Sequence, residues 1–195
     1  MNKPDVDIDF ANRTLVLEHA PATPARLATG RKHNTGVYYV DIPRALDGAS
    51  TIEHKTAERL GYFKLDFLNV HVYEQVEDEQ HLIELMREPM WELLQAREFF
   101  EQLIHVGKHY NSYLRMPEPI DSIPRMAMFL AVIRPAKRHL IGRQWHDVAQ
   151  SVWDRAGEDS YSFKRSHSVA YAQLVVVHMN LLVEQLTKKQ LTEIN

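Results

Sequence analysis

Three aspartates alternate with apolar residues near the start of the chain, in Pro4-Asp5-Val6-Asp7-Ile8-Asp9-Phe10. In an extended strand, successive side chains point to opposite faces. Asp5, Asp7 and Asp9 then share one face, and Val6, Ile8 and Phe10 share the other. Three like charges within reach of one another are costly unless a cation lies among them. Donors that are all oxygen suit Mg²⁺ or Mn²⁺ better than zinc. The chemistry expected of such a strand is metal-assisted work on phosphates. The plain alternative is a solvated edge strand with polar teeth.

Asp66 is the next candidate. It lies in Gly61-Tyr62-Phe63-Lys64-Leu65-Asp66-Phe67-Leu68, which reads as a buried strand. Lys64 and Asp66 project to one side, and Phe63, Leu65 and Phe67 to the other. A buried, unpaired carboxylate is expensive, so Asp66 needs a partner. That partner is either a base such as Lys64 or a metal shared with Asp5 and Asp7.

The basic candidates fall in three groups. Thr29-Gly30-Arg31-Lys32-His33-Asn34-Thr35-Gly36 is a glycine-flanked segment whose Arg31, Lys32 and His33 can clamp phosphate oxygens. A second group spans 134–143, with Arg134, Lys137, Arg138, His139 and Arg143. A third, Lys164-Arg165-Ser166-His167, precedes the final helix, whose N-terminus would add its own pull on an anion. Solvated loops and ordinary surface charge are the alternatives for all three. His105 and His109, four apart on an expected helix, would share a face. No H-E-x-x-H pattern accompanies them, and a pair at the surface or core edge is the simpler reading. There is no G-x-S-x-G elbow and no cysteine, which excludes thiol nucleophiles, disulfides and thiolate metal sites.

The elements that must hold these residues follow from the pattern of apolar positions. A short helix is expected over 12–20, with Leu15 and Val16 facing inward. Pro21 and Pro24 should break regular structure after it. Val37-Tyr38-Tyr39-Val40 reads as a strand, residues 47–50 as a loop, and 61–68 as the Asp66 strand. From about residue 74 the period lengthens from two to between three and four. Helices are expected over 79–87, 89–110, 121–133, 138–155 and 167–188. The last offers Val169, Leu174, Val177, Leu181 and Leu182 to a core. A small sheet followed by helices makes an α+β protein. It divides into a sheet region, 1–75, and a helical region, 76–195, expected to form one compact unit.

Composition sets outer limits. The 195 residues are 45% hydrophobic and 25% charged, ordinary for a globular chain. A net charge of −3 argues against a uniformly basic nucleic-acid coat. It leaves room for a local basic groove. No P-loop or G-x-G-x-x-G is present. No apolar run reads as long enough to cross a bilayer, and no secretory signal opens the chain. A cytoplasmic protein without a membrane partner is the expectation.

The motifs, taken in order, resemble one family. Pro4 to Phe10 is similar to the P-D-x-D-x-D-F motif in the palm of the bacterial DNA polymerase III alpha subunit family, the C-family DNA polymerases. Lys32-His33-Asn34-Thr35-Gly36-Val37 resembles its G-K-H-x-G-G-V segment. Leu60-Gly61-Tyr62-Phe63-Lys64-Leu65-Asp66-Phe67-Leu68 resembles its G-L-V-K-F-D-F-L-G strand. Ala131-Val132-Ile133-Arg134-Pro135 is similar to A-L-x-R-P-G, and Arg138-His139-Leu140-Ile141-Gly142 is a weaker echo of R-R-A-M-G-K. Tyr161-Ser162-Phe163-Lys164-Arg165-Ser166-His167-Ser168-Val169-Ala170-Tyr171-Ala172 is similar to Y-G-F-N-K-S-H-S-A-A-Y-A.

The resemblance implies a palm-like, nucleotidyltransferase-type sheet with fingers-like segments after it. Asp5, Asp7 and Asp66 match the catalytic metal ligands, and Asp9 matches the motif as a less direct one. Lys32, His33, Lys64, Arg134, Lys164, Arg165, Ser166 and His167 would contact nucleotide, phosphate or template. Two Mg²⁺ or Mn²⁺ ions about 3.5–4 Å apart would serve nucleotidyl transfer to a 3′-hydroxyl, with pyrophosphate leaving. DNA and a nucleoside triphosphate are the implied partners.

The departures are equally specific. The family carries a glycine- and serine-rich triphosphate-binding motif upstream of its acidic strand, and this sequence begins after that point. A second polypeptide supplying that motif is one expected partner. The connection from the acidic strand to Lys32-His33 is much shortened, and so is that from Arg134-Pro135 to Arg138. Ala136 replaces the glycine of R-P-G, and Lys164 stands where the family has asparagine. By this reading neither a phosphoesterase domain before the palm motifs nor a clamp-binding or OB-type domain after them is expected. The expectation is a compact, phage-type enzyme rather than a processive replicase. The alternatives are a palm-derived transferase acting on a phosphorylated or modified nucleotide in DNA, and a non-catalytic DNA-binding or replisome module.

Overall fold

A computed structural model of the chain describes residues 6–154 and 165–194. It is an α+β protein with a four-stranded mixed sheet and about 52% helix. The chain divides into two compact units, Met1–Val76 and Glu77–Asn195.

The first unit holds the sheet. Its strands are β1 (Val6–Phe10), β2 (Thr23–Arg26), β3 (Lys32–Tyr38) and β4 (Leu65–Asn69), in the order β1-β4-β3-β2. β1 runs parallel to β4, and β4–β3 and β3–β2 are antiparallel. The expected alternation holds on β1 and β4. On one face Phe10 meets Phe67 edge-on, with ring centroids 4.8 Å apart, and Tyr39 also approaches Phe67, at 5.9 Å. The other face carries the aspartates. Over β2 and β3, a small core of Ala25, Tyr38, Ile42 and Ala57 forms, with Ile52 and Tyr62 against it.

Helix α1 (Arg13–His19) is capped by Asn12, whose side chain accepts the Leu15 N–H at 3.2 Å. The Arg13 N–H donates to Asn69 Oδ1 at 2.8 Å, tying the helix start to the end of β4. Leu15 does not face inward as expected: it is 52% exposed, and α1 buries no residue. Pro24 does not break the chain. β2 is the end strand of the sheet, where a missing N–H is tolerated. β3 also departs from expectation, starting at Lys32 and ending at Tyr38, so Lys32 and His33 are strand residues. Helix α2 (His54–Arg59) has no apolar periodicity and buries only Ala57. Its N-cap, Glu53, accepts the N–H groups of Lys55 and Thr56.

The second unit is helical: α3 (Glu79–Leu85), α4 (Arg97–Phe100), α5 (Tyr110–Tyr113), α6 (Ile123–Val132), α7 (Trp145–Ser151) and α8 (Arg165–Ile194). Its core runs from Trp91 through Phe100, Phe129 and Leu130 to Met179 and Leu182. α6 is buried along most of its length and packs on α8. Asn180 of α8 donates to the Leu85 and Arg87 carbonyls at 2.8 and 3.0 Å, satisfying the end of α3.

The single helix expected over 89–110 is instead broken into α4, 3₁₀ turns over Trp91–Gln95 and Gly107–His109, and the start of α5. His105 has φ of +64°, in the left-handed region. At Gly107 any Cβ would collide with the Glu101 carbonyl, so the backbones close up there. His105 and His109 therefore share no helical face. The 138–155 helix is also divided, into a 3₁₀ turn over Pro135–Leu140 and α7, with Gly142 at φ +89° between them. By length and composition, Arg165–Thr192 is apolar enough to cross a membrane, which corrects the expectation of no such run. Ala172, Val175, Val176 and Met179 of this helix lie in the second unit's core.

Candidate functional site

The acidic face of the sheet is built by register. Asp7 is the Cα partner of Asp66 across β1 and β4, which are about 4.8 Å apart like any neighbouring strands. Partners in a parallel pair project to the same face, so both side chains leave the sheet on one side. Asp9 follows two residues on, opposite Leu68. On its other side Asp66 is partnered by Gly36 of β3. Asp5 and Lys164 lie outside the described residues.

Asp66 is held by two donors. Lys64 Nζ donates to Oδ2, and Thr35 Oγ1 donates to Oδ1 at 2.6 Å. Its side chain is 15% exposed. Burial alone would raise the carboxyl. The hydrogen bonds from Lys64 and Thr35, with the charges of Lys64 and His33, outweigh burial and hold it below the usual carboxylate range. Asp9 moves the other way, raised by burial and then by the charge of Asp7. The phenol of Tyr73 is raised by burial and by Asp9.

His33 Nδ1 accepts the N–H of Gly36 at 2.9 Å and of Thr35 at 3.2 Å. Its lone pair is therefore used, and in the neutral ring the proton sits on Nε2. The 3.8 Å separation of Nδ1 from Asp66 Oδ1 is then proximity, not a hydrogen bond. Burial depresses the His33 pKa, and the charges of Lys64, His54 and Arg13 add to this against the opposing pull of Asp66. The His33 ring meets that of His54 edge-on at 5.3 Å. His54 Nδ1 lies 2.8 Å from Glu53 Oε1 and 3.2 Å from the Arg26 carbonyl, two acceptors that place its proton on Nδ1.

Gly36 makes this crowding feasible. A Cβ there would lie 2.8 Å from Lys64 Cδ, 3.1 Å from His33 Nδ1 and 3.2 Å from Ala25 Cβ. Tyr38, two residues on, is buried, and its hydroxyl has no hydrogen-bond partner among the described residues. Burial and the charges of Glu53, Asp66 and Glu58 push it up to about 12.

Lys64 and His33 thus come together on Asp66, with Asp7 in register beside it. Lys32 does not join them: its Nζ donates to the Asp47 carbonyl at 2.8 Å, in a loop that Arg26 also binds through Asp47 Oδ1. Arg134, Arg165, Ser166 and His167 belong to the second unit. There, burial and the Arg134 charge push His105 down to about 4, and its ring lies 4.5 Å from Tyr171. Sequence reasoning missed Thr35, Gly36, His54 and Arg13 as site residues. Thr35 and Gly36 were inside the quoted basic segment. The other two carry no local signal.

Among the described residues, no three His, Asp or Glu side chains are grouped to hold a metal. The Asp7–Asp66 pair still fits Mg²⁺ chemically. That ion is commonly held by one or two carboxylates with waters and substrate phosphates completing its shell.

No protein-family model matches the chain, and neither a curated protein nor a solved structure matches it.

Proposed function

We propose that the chain is a metal-dependent nucleotidyltransferase with a palm-like sheet resembling that of DNA polymerase III alpha, acting on DNA with pyrophosphate as the leaving group. The observation that carries this reading is the register of Asp7 against Asp66. With Asp5, implied by resemblance, they would hold Mg²⁺ or Mn²⁺. A bound ion of this class supplies charge neutralisation at the phosphoryl oxygens and lowers the pKa of a coordinated hydroxyl. The depressed pKa of Asp66 keeps it ionised at neutral pH, as a ligand must be. Asp9, raised, is the weaker donor. His33 offers its Nε2–H to a phosphate oxygen. Lys64 would turn from Asp66 to phosphate once another cation replaces it. DNA and a nucleoside triphosphate are the proposed partners, in a cytoplasmic setting.

A second reading has its own observation. Both oxygens of Asp66 already have donors, Lys64 and Thr35, as in a DNA-binding module that performs no chemistry. Incubation with primed DNA, labelled nucleotides and Mg²⁺ or Mn²⁺ separates the two. The enzyme reading expects primer extension with pyrophosphate release, lost in Asp7→Asn. Pyrophosphate release without extension points to another acceptor in DNA. No release, with Asp7→Asn indistinguishable from the parent, favours the binding module.

A further inference from the structure

The strands lie in the order β1-β4-β3-β2, and the ionisable side chains follow that order as a row. Asp7 on β1 is in register with Asp66 on β4, and Asp66 with Gly36 on β3. A Cβ on Gly36 would touch both Lys64 Cδ and His33 Nδ1, so the His33 ring lies over the face that Asp66 occupies. The His54 ring meets that of His33 edge-on, with centroids 5.3 Å apart, and is tied to β2 through the Arg26 carbonyl. The row therefore runs carboxylate, carboxylate, imidazole, imidazole. His54, at its far end, is left without a role by the metal pair.

The two rings are held in opposite proton patterns. His33 Nδ1 accepts the Gly36 and Thr35 N–H groups, so a neutral His33 carries its proton on Nε2. His54 Nδ1 lies 3.2 Å from the Arg26 carbonyl and 2.8 Å from Glu53 Oε1. A neutral His54 therefore carries its proton on Nδ1 and leaves Nε2 as a lone pair. Glu53 is itself fixed, because its two oxygens accept the Lys55 and Thr56 N–H groups. Among the described residues neither Nε2 has a hydrogen-bond partner, and neither is sealed from solvent. Such a pair is unsuited to holding one metal through both Nε2 atoms, since His33 would have to give up two backbone hydrogen bonds. It presents a donor and a base side by side.

We propose that His54 is the general base of the transfer, with Glu53 as its positioning residue. This rests on the nucleotidyltransferase reading and adds the proton acceptor which that reading lacks. The acceptor hydroxyl of the substrate gives its proton to His54 Nε2 as its oxygen attacks the α-phosphorus. The new P–O bond forms while the bond to the pyrophosphate oxygen breaks, and pyrophosphate leaves with that electron pair. His33 Nε2–H donates to a phosphoryl oxygen beside the reacting hydroxyl, the complementary task for the neighbouring ring. The Glu53 carboxylate beside Nδ1–H steadies the imidazolium, which returns its proton to solvent after pyrophosphate has left. A carboxylate that orients an imidazole, while the other ring nitrogen takes the proton, is a recurring arrangement for such bases. The other ionisable groups around His54 are Arg26 of β2, His33 of β3, and Lys55 and Glu58 of α2. The Arg26 guanidinium is engaged by Asp47 and by the Gly30 and Ser50 carbonyls.

Two readouts on the full chain test this. The first is NMR of the ring nitrogens of the histidines, which needs no turnover. At neutral pH His54 should show Nδ1 protonated and Nε2 bare, and His33 the reverse. The second is pyrophosphate release from primed DNA and nucleoside triphosphate with Mg²⁺ or Mn²⁺, followed against pH. His54→Gln should lower kcat by at least about 10²-fold, with KM little changed, and should remove the fall in rate on the acid side. Added imidazole should restore part of the rate to His54→Ala, which a loss of packing would not allow. Glu53→Gln should cost less and move the acid limb to lower pH, because the imidazolium loses its neighbouring charge. Should a variant fail to fold by circular dichroism, the tautomer in the parent decides. A His54 with its proton on Nε2 overturns the base. So does a His54→Gln that keeps the parent's rate and pH profile, and in that case the transferase reading stands without it. A parent that releases no pyrophosphate removes the transferase reading and this base together.

Discussion

The two units use their interiors differently. The second is held by one large apolar core in which Phe100, Phe129, Leu130 and Val132 are fully enclosed. Its few buried polar contacts close helix ends or pin helices together. The first has a core of small extent around Ala25, Tyr38 and Ala57. One face of its sheet carries aspartates, with a lysine, a threonine and a histidine gathered on Asp66. Such an arrangement costs stability that apolar packing would have supplied. Where a protein keeps charges packed together on a half-buried face, function is the usual reason.

Four substitutions or titrations sharpen or break that contrast. The largest effect is expected from Phe100→Ala, which empties the middle of the second unit's aromatic cluster. Urea unfolding should show a loss of about 3–5 kcal/mol. A loss under 1 kcal/mol would mean the core there is loose. Asp66→Asn comes next. It leaves Lys64 without its charged partner and weakens the Thr35 bond, at a cost of roughly 1.5–3 kcal/mol. Its pH dependence has a definite sign. The folded pKa of Asp66 is depressed, so its stabilisation is complete above the unfolded value of about 3.9 and is lost as pH falls through the folded one. The variant should unfold with a shallower acid limb below about pH 4. An unchanged limb would show that the pair contributes nothing.

His178 probes the second unit. Its Nδ1 accepts the Ile104 N–H at 3.0 Å, and burial depresses its pKa. The unfolded chain then binds more protons. Stability should decline as pH drops below about 6.5, by roughly 1 kcal/mol for the hydrogen bond lost on protonation. His178→Asn should flatten that decline, and a parent whose melting temperature is level between pH 7 and 5 would contradict it. The smallest effect is Gly36→Ala. Its methyl must displace the middle of the Lys64 chain, a flexible neighbour, and crowd His33. About 1 kcal/mol is expected, with a shift of the His33 ring resonances by NMR. Silent resonances would mean that Gly36 is not what makes room for them.

Much of the fold is legible locally, because it depends on alternation and period. The acidic strand, the Lys64–Asp66 side of β4 and the change to helices after it all follow from spacing. β2 was lost because Pro24 reads as a breaker until its position at the sheet's end is known. The early start of β3 was hidden because 32–36 is polar throughout. α2 gave no signal because it buries a single alanine. The run over 89–110 has helical spacing, but His105 at positive φ and the close approach at Gly107 divide it. The site itself is mostly non-local. Nothing in the sequence states that Asp7 and Asp66 share a register, that Thr35 reaches Asp66 or that His54 meets His33. Those relations arise only once four short strands are ordered.

The central claim is that Asp7 and Asp66 are one site for a divalent cation. Mn²⁺ titration of the full chain, followed by electron paramagnetic resonance, tests it directly with the parent, Asp7→Asn and Asp66→Asn. Saturable binding by the parent, reduced at least about tenfold in each variant, is the expected result. A parent that binds no Mn²⁺, or variants that bind it as tightly as the parent, would contradict the account.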